Sequence, residues 1–475
     1  MPHRRWEQLI FWGLFLLAVV FRLTAYQPLA GSMGDLDTGG YINTAKISFP
    51  SWAFFTGVRA PTLPLVMKLL QPKNGYPAFI LSQPAVLGNH PTLAVLPGFD
   101  WLVIFQTIVS ILCWGALAWT LFRHLNNILA QVSAVLLIFL FAFCPQMVDW
   151  DQLLLSESLS YSLYALLLAL TIEFVFQISR LEKRANWKII AVTLALFCAI
   201  TAWIFVRDTN SFLIPISILL ALPLFYFLIR NRTRLLITIA LMVSLIGIYI
   251  FQQTAFQASQ RWLQPFLNNM TANVFPSSSR VAFFVQRGMP VSGKLLTLRG
   301  SEEYNGITKY ADFMSWAQKK GYSTYISFLI SNPFWASLTV YNQLDTVFGE
   351  NLQPYFGEDP HTRPAWLVPI GDMLHPLSNT VILIDFFLAL LLFYIGIRSR
   401  DPHAFCWAWI AAWLFISSVV LMALGITGEV RSIIRHAMVG VVPLRLALWI
   451  FLPVLADRVL SNATVKDSPA QPISS

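Results

Sequence analysis

Charged residues are scarce in this chain. They make up 12% of its 475 residues, about half of the share that a soluble protein carries. With 56% hydrophobic residues, this composition excludes a disordered chain, a nucleic-acid-binding domain and an ordinary cytosolic enzyme, and we expect no nucleic-acid partner. Apolar runs of nearly twenty residues recur instead, and a helix of that length crosses a bilayer. The sequence predicts an all-α integral membrane protein that crosses the bilayer many times.

Paired metal or disulfide spacings are also missing. The seven histidines form no i, i+4 pair, and the four cysteines fall inside apolar runs without paired spacing. We therefore predict that the cysteines are small core side chains and that the chain has no disulfide framework and no zinc site. These cysteines are Cys113, Cys144, Cys198 and Cys406.

Ten membrane spans can be placed on the apolar runs. They cover residues 8–25, 100–122, 127–147, 153–177, 187–206, 211–229, 234–252, 376–397, 404–425 and 437–457. Two long polar and aromatic stretches, 26–99 and 253–375, lie between spans. Residues 322–341 are apolar enough to enter the membrane, but Asn332-Pro333 favours an interfacial or re-entrant segment over a span.

Basic residues orient these spans. With the N-terminus inside, the short inner loops carry ten Lys and Arg and the short outer loops carry three, Arg207, Arg431 and Arg435. The positive-inside rule then places both long stretches on the outer face. We expect a bacterial inner or plasma membrane, with any active site on its outer side.

Four regions follow from this layout. Residues 1–252 form an N-terminal transmembrane module, whose first outer loop, 26–99, should hold interfacial helices. Residues 253–375 form an extracytoplasmic segment that either covers a cavity as a lid or serves as a spacer. Residues 376–458 hold the last transmembrane helices, and 459–475 form a cytoplasmic tail.

The polar residues near the membrane are unevenly distributed. The inner face has basic anchors and little else, whereas acids, arginines and one histidine gather at the outer ends of the spans. This asymmetry indicates one outward-facing polar site at membrane level. Its candidate residues are Asp35, Asp37, Asp149, Asp151, Glu157, Arg207, Asp208, Glu429, Arg431, Arg435 and His436.

The carboxylates among them allow more than one role. Asp35 and Asp37 could hold a divalent cation or supply a general base, or they could simply form a turn and a helix N-cap. Glu157, one turn inside a span, either binds a ligand or pairs with Arg207 or Arg22. Asp385, at mid-depth in its span, is expected to be buried and hydrogen-bonded.

The arginines suggest an anionic ligand. A single arginine at the outer edge contacts lipid phosphate by default. Several arginines that converge from separate helices are better suited to grip a phosphate or pyrophosphate, because the guanidinium has a permanent charge and a planar fork of donors.

The order of short motifs resembles a known family. An Asp-x-x-x-Tyr sequence follows the first span, and an Arg-x-Pro-x-x-Pro stretch follows it. A Ser-Glu-Ser-Leu helix start, an Arg-Asp turn and an Arg-His pair come later. This order resembles the polytopic GT-C glycosyltransferases, in particular the bacterial branch similar to protein O-mannosyltransferases and aminoarabinose transferases. The matching positions are Asp37, Tyr41, Arg59, Pro61, Pro64, Ser156–Leu159, Arg207, Asp208, Arg435 and His436.

The resemblance implies an enzyme that takes a monosaccharide from a polyprenyl phosphate donor and inverts the anomeric carbon. The acceptor would be a lipid, a glycan or a protein. Asp37 would act as catalytic base, with Asp35 as a second candidate or helper. No cofactor is certain, and a divalent metal is possible although the proposed chemistry does not require one. Substrate binding would fall to Tyr41, Arg59, Glu157, Arg207, Asp208, Arg431, Arg435 and His436.

One departure and one alternative stay open. Members of this family often carry an acidic residue just before the proline-rich stretch, where this chain has Arg59, so the acceptor is undetermined. The alternative is a transporter or a flippase for a lipid-linked sugar, which predicts broken helices in two matching halves and ionisable groups near the midplane. Only Asp385 fits that description.

Overall fold

The computed structural model describes residues 3–27, 29, 31, 37–73, 75–76, 98–179, 186–229, 231–300, 304–354, 364–399 and 401–466. Regular structure in these ranges is helical, which confirms the all-α class. Asp35 lies outside the described residues, as does the tail from residue 467.

The described residues of the first half of the chain form eleven α-helices. They are α1 (His3–Ala25), α2 (Asp37–Lys46), α3 (Trp52–Phe55), α4 (Thr62–Leu69), α5 (Asp100–His124), α6 (Ile128–Phe143), α7 (Pro145–Val148), α8 (Glu157–Ser179), α9 (Asn186–Ile204), α10 (Leu213–Leu220) and α11 (Phe225–Leu228). Tight 3₁₀ turns follow α7 at Asp149–Gln152 and precede α10 at Asp208–Phe212.

The second half begins with a long helix and a series of short ones. They are α12 (Arg232–Ser259), α13 (Leu263–Asn269), α14 (Ser278–Val285), α15 (Gly293–Leu296), α16 (Tyr304–Ile307), α17 (Ala311–Trp316), α18 (Tyr322–Ser331), α19 (Pro333–Phe348) and α20 (Val368–Leu374). Three long helices complete it: α21 (Thr380–Arg398), α22 (Pro402–Gly428) and α23 (Ile433–Lys466).

Eight of these helices are long and apolar enough to cross a membrane: α1, α5, α8, α9, α12, α21, α22 and α23. A ninth crossing is formed if α6 and the segment after Pro145 count as one span, bent by 53°. Proline cannot donate the backbone hydrogen bond that would continue a helix, which explains the bend. The protein is therefore a multi-pass integral membrane protein.

The sixth predicted span, residues 211–229, is not one continuous helix in the structure. Over 211–229 the chain forms the short helices α10 and α11 with a 3₁₀ turn, Leu222–Leu224, between them. Pro223 sits in that turn, and its missing N–H interrupts the helix. The apolar run Asp208–Leu224 is consequently shorter than a crossing helix, so hydropathy alone overestimated the length of regular helix.

Two hydrophobic cores organise the helices. The larger one surrounds α8, which packs against α5, α9 and α22, while α22 packs against α21 and α23. The smaller one belongs to the predicted extracytoplasmic residues 253–375, called the outer segment below, and includes Trp262, Phe266, Phe284, Trp316 and Phe328. The outer segment thus has a packed interior of its own.

The apolar residues 322–341 are divided where the sequence indicates. α18 ends at Ser331 and α19 begins at Pro333, with Asn332 between them. Neither helix is among those that are long and apolar enough to cross a membrane. Ile330, Phe334 and Tyr341 are exposed, and a helix with an exposed apolar face at a membrane surface is typical of an interfacial segment.

Two predictions about individual side chains need correction. Asp385 is fully buried in α21, but within the described part of the chain neither of its carboxylate oxygens has a hydrogen-bond partner. Cys113, Cys144 and Cys406 are buried as expected, whereas Cys198 is exposed on α9. A cysteine in an apolar run can face lipid as readily as the core, because both surroundings are apolar.

A buried ion pair joins α1 to the turn before α8. Arg22 donates from Nη2 to Asp151 Oδ2 at 3.1 Å, and Ser158 donates to the other carboxylate oxygen at 2.6 Å. Gln106 fixes the same turn by donating to the carbonyls of Asp151 and Leu153. Arg22 therefore pairs with Asp151 and not with Glu157.

We expect the Arg22→Met variant to lose about 3–5 kcal/mol of unfolding free energy, because it leaves the buried Asp151 carboxylate without a counter-ion. Unfolding in detergent measures this change. The double variant Arg22→Met with Asp151→Asn should recover most of the loss. Equal losses in the single and double variants would mean that the cost comes from packing and not from the charge.

Candidate active site

Asp37 is the first residue of α2, in the predicted first outer loop. Two side chains of α2 attach its first turns to the loop before α8. Thr38 donates to the carbonyl of Leu154 at 3.2 Å, and Tyr41 donates to Ser156 Oγ at 2.9 Å. The Asp37 carboxylate is therefore held next to the start of α8 by an ordered segment.

Glu157 is the first residue of α8, and its side chain is fully buried. A helix N-terminus favours a negative charge, because its first N–H groups lack intrahelical partners. The buried carboxylate also has basic partners: Arg207 Nη2 lies 3.6 Å from Glu157 Oε1, and Arg435 contacts both oxygens. Glu157 thus pairs with Arg207, one of its two expected partners.

Arg435 connects the two carboxylates. It lies in the first turn of α23, where Nη1 donates to Asp37 Oδ2 and Nε donates to Glu157 Oε1. Its Nη2 lies 3.4 Å from Glu157 Oε2. Because one guanidinium serves both acids, α2, α8 and α23 meet at a single point.

Arg59 reaches the same point from the loop before α4. Its Nη2 donates to Asp37 Oδ1, and its guanidinium lies 5.5 Å from the centre of the Tyr41 ring. Glycine at position 40 makes this approach possible, since a Cβ there would lie 2.8 Å from Arg59 Nε. Asp37 is therefore flanked by two arginines, Arg59 and Arg435.

These five side chains form what we call the charge cluster: Asp37, Arg59, Glu157, Arg207 and Arg435. Three cations and two anions leave it with a net charge of +1. Three helix N-termini, those of α2, α8 and α23, add positive partial charge. The arrangement is suited to one further anion.

Electrostatics keeps Asp37 ionised. Burial alone raises the pKa of its carboxyl, but the Arg435 and Arg59 guanidinium groups together outweigh that effect and hold the pKa below the ordinary 3.8. Asp37 is the more accessible of the two acids, with 25% of its side chain exposed against none for Glu157. Of the two, Asp37 can meet an incoming substrate.

Burial also raises the pKa of the Tyr41 hydroxyl, which therefore stays protonated. Tyr41 acts as a hydrogen-bond donor to Ser156 and as a surface for Arg59. His436 follows Arg435 and is near enough to Asp37 and Glu157 to interact with them electrostatically.

The remaining predicted site residues have other contacts. Asp208 accepts two hydrogen bonds from Arg261 and one from Gln252. The side chain of Arg431 is exposed, and its backbone N–H donates to Glu429 at 2.9 Å. Asp208 directly follows Arg207, and Arg431 precedes Arg435 by four residues.

Arg261 was missed by sequence reasoning. It lies in the turn between α12 and α13, and its side chain is 8% exposed. In the sequence it is one of several basic residues of the long outer stretch, and only the folded chain brings it to Asp208, 53 residues earlier. No motif signals it.

A metal is not needed to balance the charge of the two carboxylates, because arginines already contact both. Among the described residues no group of three or more His, Cys, Asp or Glu could hold a metal ion. The donor set of the charge cluster suits an anionic ligand better than a cation.

An apolar crevice lies beside α8, farther along that helix than Glu157. It lies between α8, α9, α10, α12 and α22, and its walls are almost entirely apolar. Leu167, Phe174, Ile214, Leu245 and Trp413 are among its lining residues. Leu167 is ten residues from Glu157, or about 15 Å along the helix at 1.5 Å per residue.

The fold and the charge cluster define a polytopic membrane protein in which three arginines and two carboxylates meet at the N-terminal ends of α2, α8 and α23. Several solved structures are similar to this chain. The archaeal oligosaccharyltransferase AglB from Archaeoglobus fulgidus, in complex with an inhibitory peptide and a dolichol-phosphate, is 14% identical, with a TM-score of 0.41 over 100% of this chain and 53% of its own. The apo form of the Archaeoglobus fulgidus oligosaccharyltransferase is 15% identical, with a TM-score of 0.42 over 99% of this chain and 53% of its own.

This chain therefore spans about half the length of these structures. Both structures are oligosaccharyltransferases. No protein family model matches the chain, and no curated protein matches it.

Proposed function

We propose that the protein is a membrane glycosyltransferase that moves a monosaccharide from a polyprenyl phosphate donor to an acceptor on the non-cytoplasmic face. The observation that carries this proposal is the contact of one partly exposed carboxylate, Asp37, with two arginines, Arg59 and Arg435, beside the N-terminus of α8. Such a transfer needs a base that takes the proton of the acceptor and cationic groups that bind the donor phosphate.

The reaction assigns a task to each group. An acceptor hydroxyl or amine attacks the anomeric carbon, and its proton passes to Asp37. The bond between the anomeric carbon and the phosphate oxygen breaks, and the electron pair leaves with the phosphate. Arg59, Arg207 and Arg435 stabilise the negative charge that develops on that phosphate. A single displacement from the opposite face inverts the anomeric carbon.

The charge of the cluster favours a donor with one phosphate. A sugar-linked polyprenyl phosphate is a phosphodiester with one negative charge, which matches the +1 of the charge cluster. A pyrophosphate donor carries two, which would leave an uncompensated negative charge in a partly buried site, and that is costly. In the absence of donor the two carboxylates occupy the arginines, so the phosphate must compete with them.

The hydrocarbon chain of the donor needs a place below the phosphate. The apolar crevice beside α8 offers one, because its lining is almost entirely apolar. Burial of apolar surface contributes roughly 25 cal/mol per Å², so a long isoprenoid would add affinity that a water-soluble sugar phosphate lacks. We therefore expect sugar phosphates without a lipid to be poor donors.

The acid limb of the pH–rate profile should lie at a lower pH for kcat/KM than for kcat. For kcat/KM, which reports the free enzyme, activity should persist until the pH falls through the depressed pKa of Asp37, below 3.8. The limb of kcat should lie at higher pH, because the bound phosphate competes for Arg59 and Arg435 and weakens their hold on Asp37. An acid limb of kcat/KM near neutral pH, far above the depressed pKa of Asp37, would show that Asp37 is not the base.

A donor panel tests the proposed function. Purified protein in detergent is incubated with labelled polyprenyl phosphate monosaccharides, the corresponding pyrophosphates and short-chain analogues, and transferred or released sugar is counted. We expect turnover of at least one monophosphate donor and at least tenfold less of its pyrophosphate counterpart. Faster turnover of the pyrophosphate would contradict the charge argument.

A further inference from the structure

Arg261 joins three distant parts of the chain. Its Nε and Nη2 donate to the two oxygens of Asp208 at 2.8 and 2.9 Å. Its Nη1 donates to the carbonyls of Phe55 and Gly57 at 3.1 and 2.9 Å. The left-handed backbone of Gln260, with φ of 55°, ends α12 just before it. Four hydrogen bonds thus originate from one nearly buried guanidinium.

Each segment that Arg261 contacts carries an arginine of the charge cluster. Gly57 comes two residues before Arg59, which contacts Asp37. Asp208 follows Arg207, which faces Glu157. The two segments therefore present Arg59 and Arg207 to the two carboxylates. Arg261 holds both segments by its hydrogen bonds.

The segment before Arg59 is also closely packed. A Cβ at Gly57 would lie 2.6 Å from Thr44 Cγ2 of α2, and the backbone N–H of Arg59 donates to Thr44 Oγ1 at 3.3 Å. A displacement of the Gly57 carbonyl would therefore move Arg59 relative to α2, the helix that carries Asp37. The contact of Arg261 with Gly57 bears directly on the geometry around Asp37.

We propose that Arg261 is a positioning residue that sets the separation of Arg59 and Arg207, and thereby the width of the site for the donor phosphate. This inference rests on the proposed function. Arg261 acts through the two segments that it holds, not by contact with the reacting atoms. It also assigns a task to the outer segment, which supplies this side chain at its beginning.

A lysine cannot replace this arginine. The guanidinium presents its donors as a fixed planar fork, here two to a carboxylate and two to carbonyls, whereas an ammonium is a point charge with three donors. Asp208 keeps one other partner, since Gln252 donates to it at 2.9 Å. The Arg207 turn is thus only partly released when Arg261 is changed.

The test compares Arg261→Lys and Arg261→Gln with wild type in the full-length protein. We expect the KM for the donor to rise about tenfold in both variants and kcat/KM to fall about 10- to 100-fold, the effect of misplaced binding groups. The KM for the acceptor should not change. Asp208→Asn, which weakens the other half of the contact, should raise the donor KM by a smaller factor.

Arg287→Lys is the matched control. Arg287 is an exposed arginine of the same outer segment, and it contacts the ring and the carbonyl of Phe283. Its replacement should leave every kinetic constant at the wild-type value. If Arg261→Lys also keeps the wild-type donor KM, only the charge at position 261 matters and the positioning role is wrong.

A merely structural role has a different signature. It would lower the thermal unfolding midpoint and kcat, through a smaller active fraction, and leave the donor KM unchanged. Such a result overturns the proposal. Binding of polyprenyl phosphate without a sugar gives a second readout, in which we expect about tenfold weaker binding by Arg261→Lys, and equal binding would again overturn it.

Failure of the proposed function looks different again. In that case the wild-type protein transfers no sugar, so the Asp37→Asn substitution cannot reduce transfer. If Asp37→Asn abolishes transfer while Arg261→Lys keeps the donor KM, the enzyme proposal stands and the positioning proposal falls.

Discussion

The Asp37→Asn variant should transfer sugar about 10²–10⁴-fold more slowly than wild type, with a donor KM within a few fold of normal. The range is that of general acid–base catalysis by one side chain. Asparagine keeps the size of the side chain, and its one carbonyl oxygen can still accept a hydrogen bond from one of the two arginines. Because Arg435 also stays paired with Glu157, the site should stay largely assembled. Initial rates at saturating donor, measured by label in the acceptor, give the comparison.

Asp312→Asn is a suitable control for this variant. Asp312 is an exposed aspartate in the first turn of α17, in the outer segment, and its replacement removes the same charge without touching the charge cluster. It should transfer at the wild-type rate. If Asp37→Asn also transferred at that rate, Asp37 would not be the base, although the class of reaction would survive.

The Arg435→Gln variant should affect both activity and stability. Transfer should fall about 10²–10³-fold in kcat, as when a preorganised donor to a developing negative charge is removed. The free energy of unfolding should fall by about 3 kcal/mol, the lower end for a broken buried ion pair, because Arg207 still faces Glu157. Kinetics and unfolding in detergent measure the two effects.

A second variant separates the two effects. Adding Glu157→Gln to Arg435→Gln removes the unpaired buried carboxylate, so most of the lost stability should return. Transfer should stay low, because the contact to the phosphate is still missing. Recovery of transfer together with stability would show that Arg435 serves only as the counter-ion of Glu157 and does not assist the reaction.

Hydropathy predicted most of the membrane architecture, because a crossing helix must be apolar over its whole length. It failed where local chemistry decided the outcome. Pro145 bends the third predicted span, and Pro223 divides the sixth into short helices. Hydropathy averaged over a window of residues does not register the loss of one backbone N–H donor at a proline.

The grouping of Asp37, Glu157, Arg207 and Arg435 was foreseeable from sidedness. Glu157, Arg207 and Arg435 lie at outer ends of predicted spans and Asp37 lies in the first outer loop, so all four map to the same predicted side of the bundle. Sequence could not foresee which acid pairs with which arginine, since Glu157 had two plausible partners. It also gave no hint that Arg435 would contact both acids, which depends on the angle at which α23 enters the bundle.

Arg261 and Gly40 were beyond sequence reasoning for a different reason. Arg261 bonds to carbonyls 206 and 204 residues earlier in the chain, and no periodicity or spacing encodes so distant a contact. Gly40 reads as part of a glycine-rich turn, whereas in the structure its missing Cβ gives Arg59 access to α2. Both features belong to the packing of loops, where one sequence offers little guidance.

The most direct test of the account is the fate of a labelled polyprenyl phosphate monosaccharide given to the purified protein in liposomes. The account predicts release of polyprenyl phosphate and a glycosidic product whose anomeric configuration is opposite to that of the donor. Movement of the intact donor from one leaflet to the other, without cleavage of the sugar–phosphate bond, would contradict it and would instead indicate a flippase.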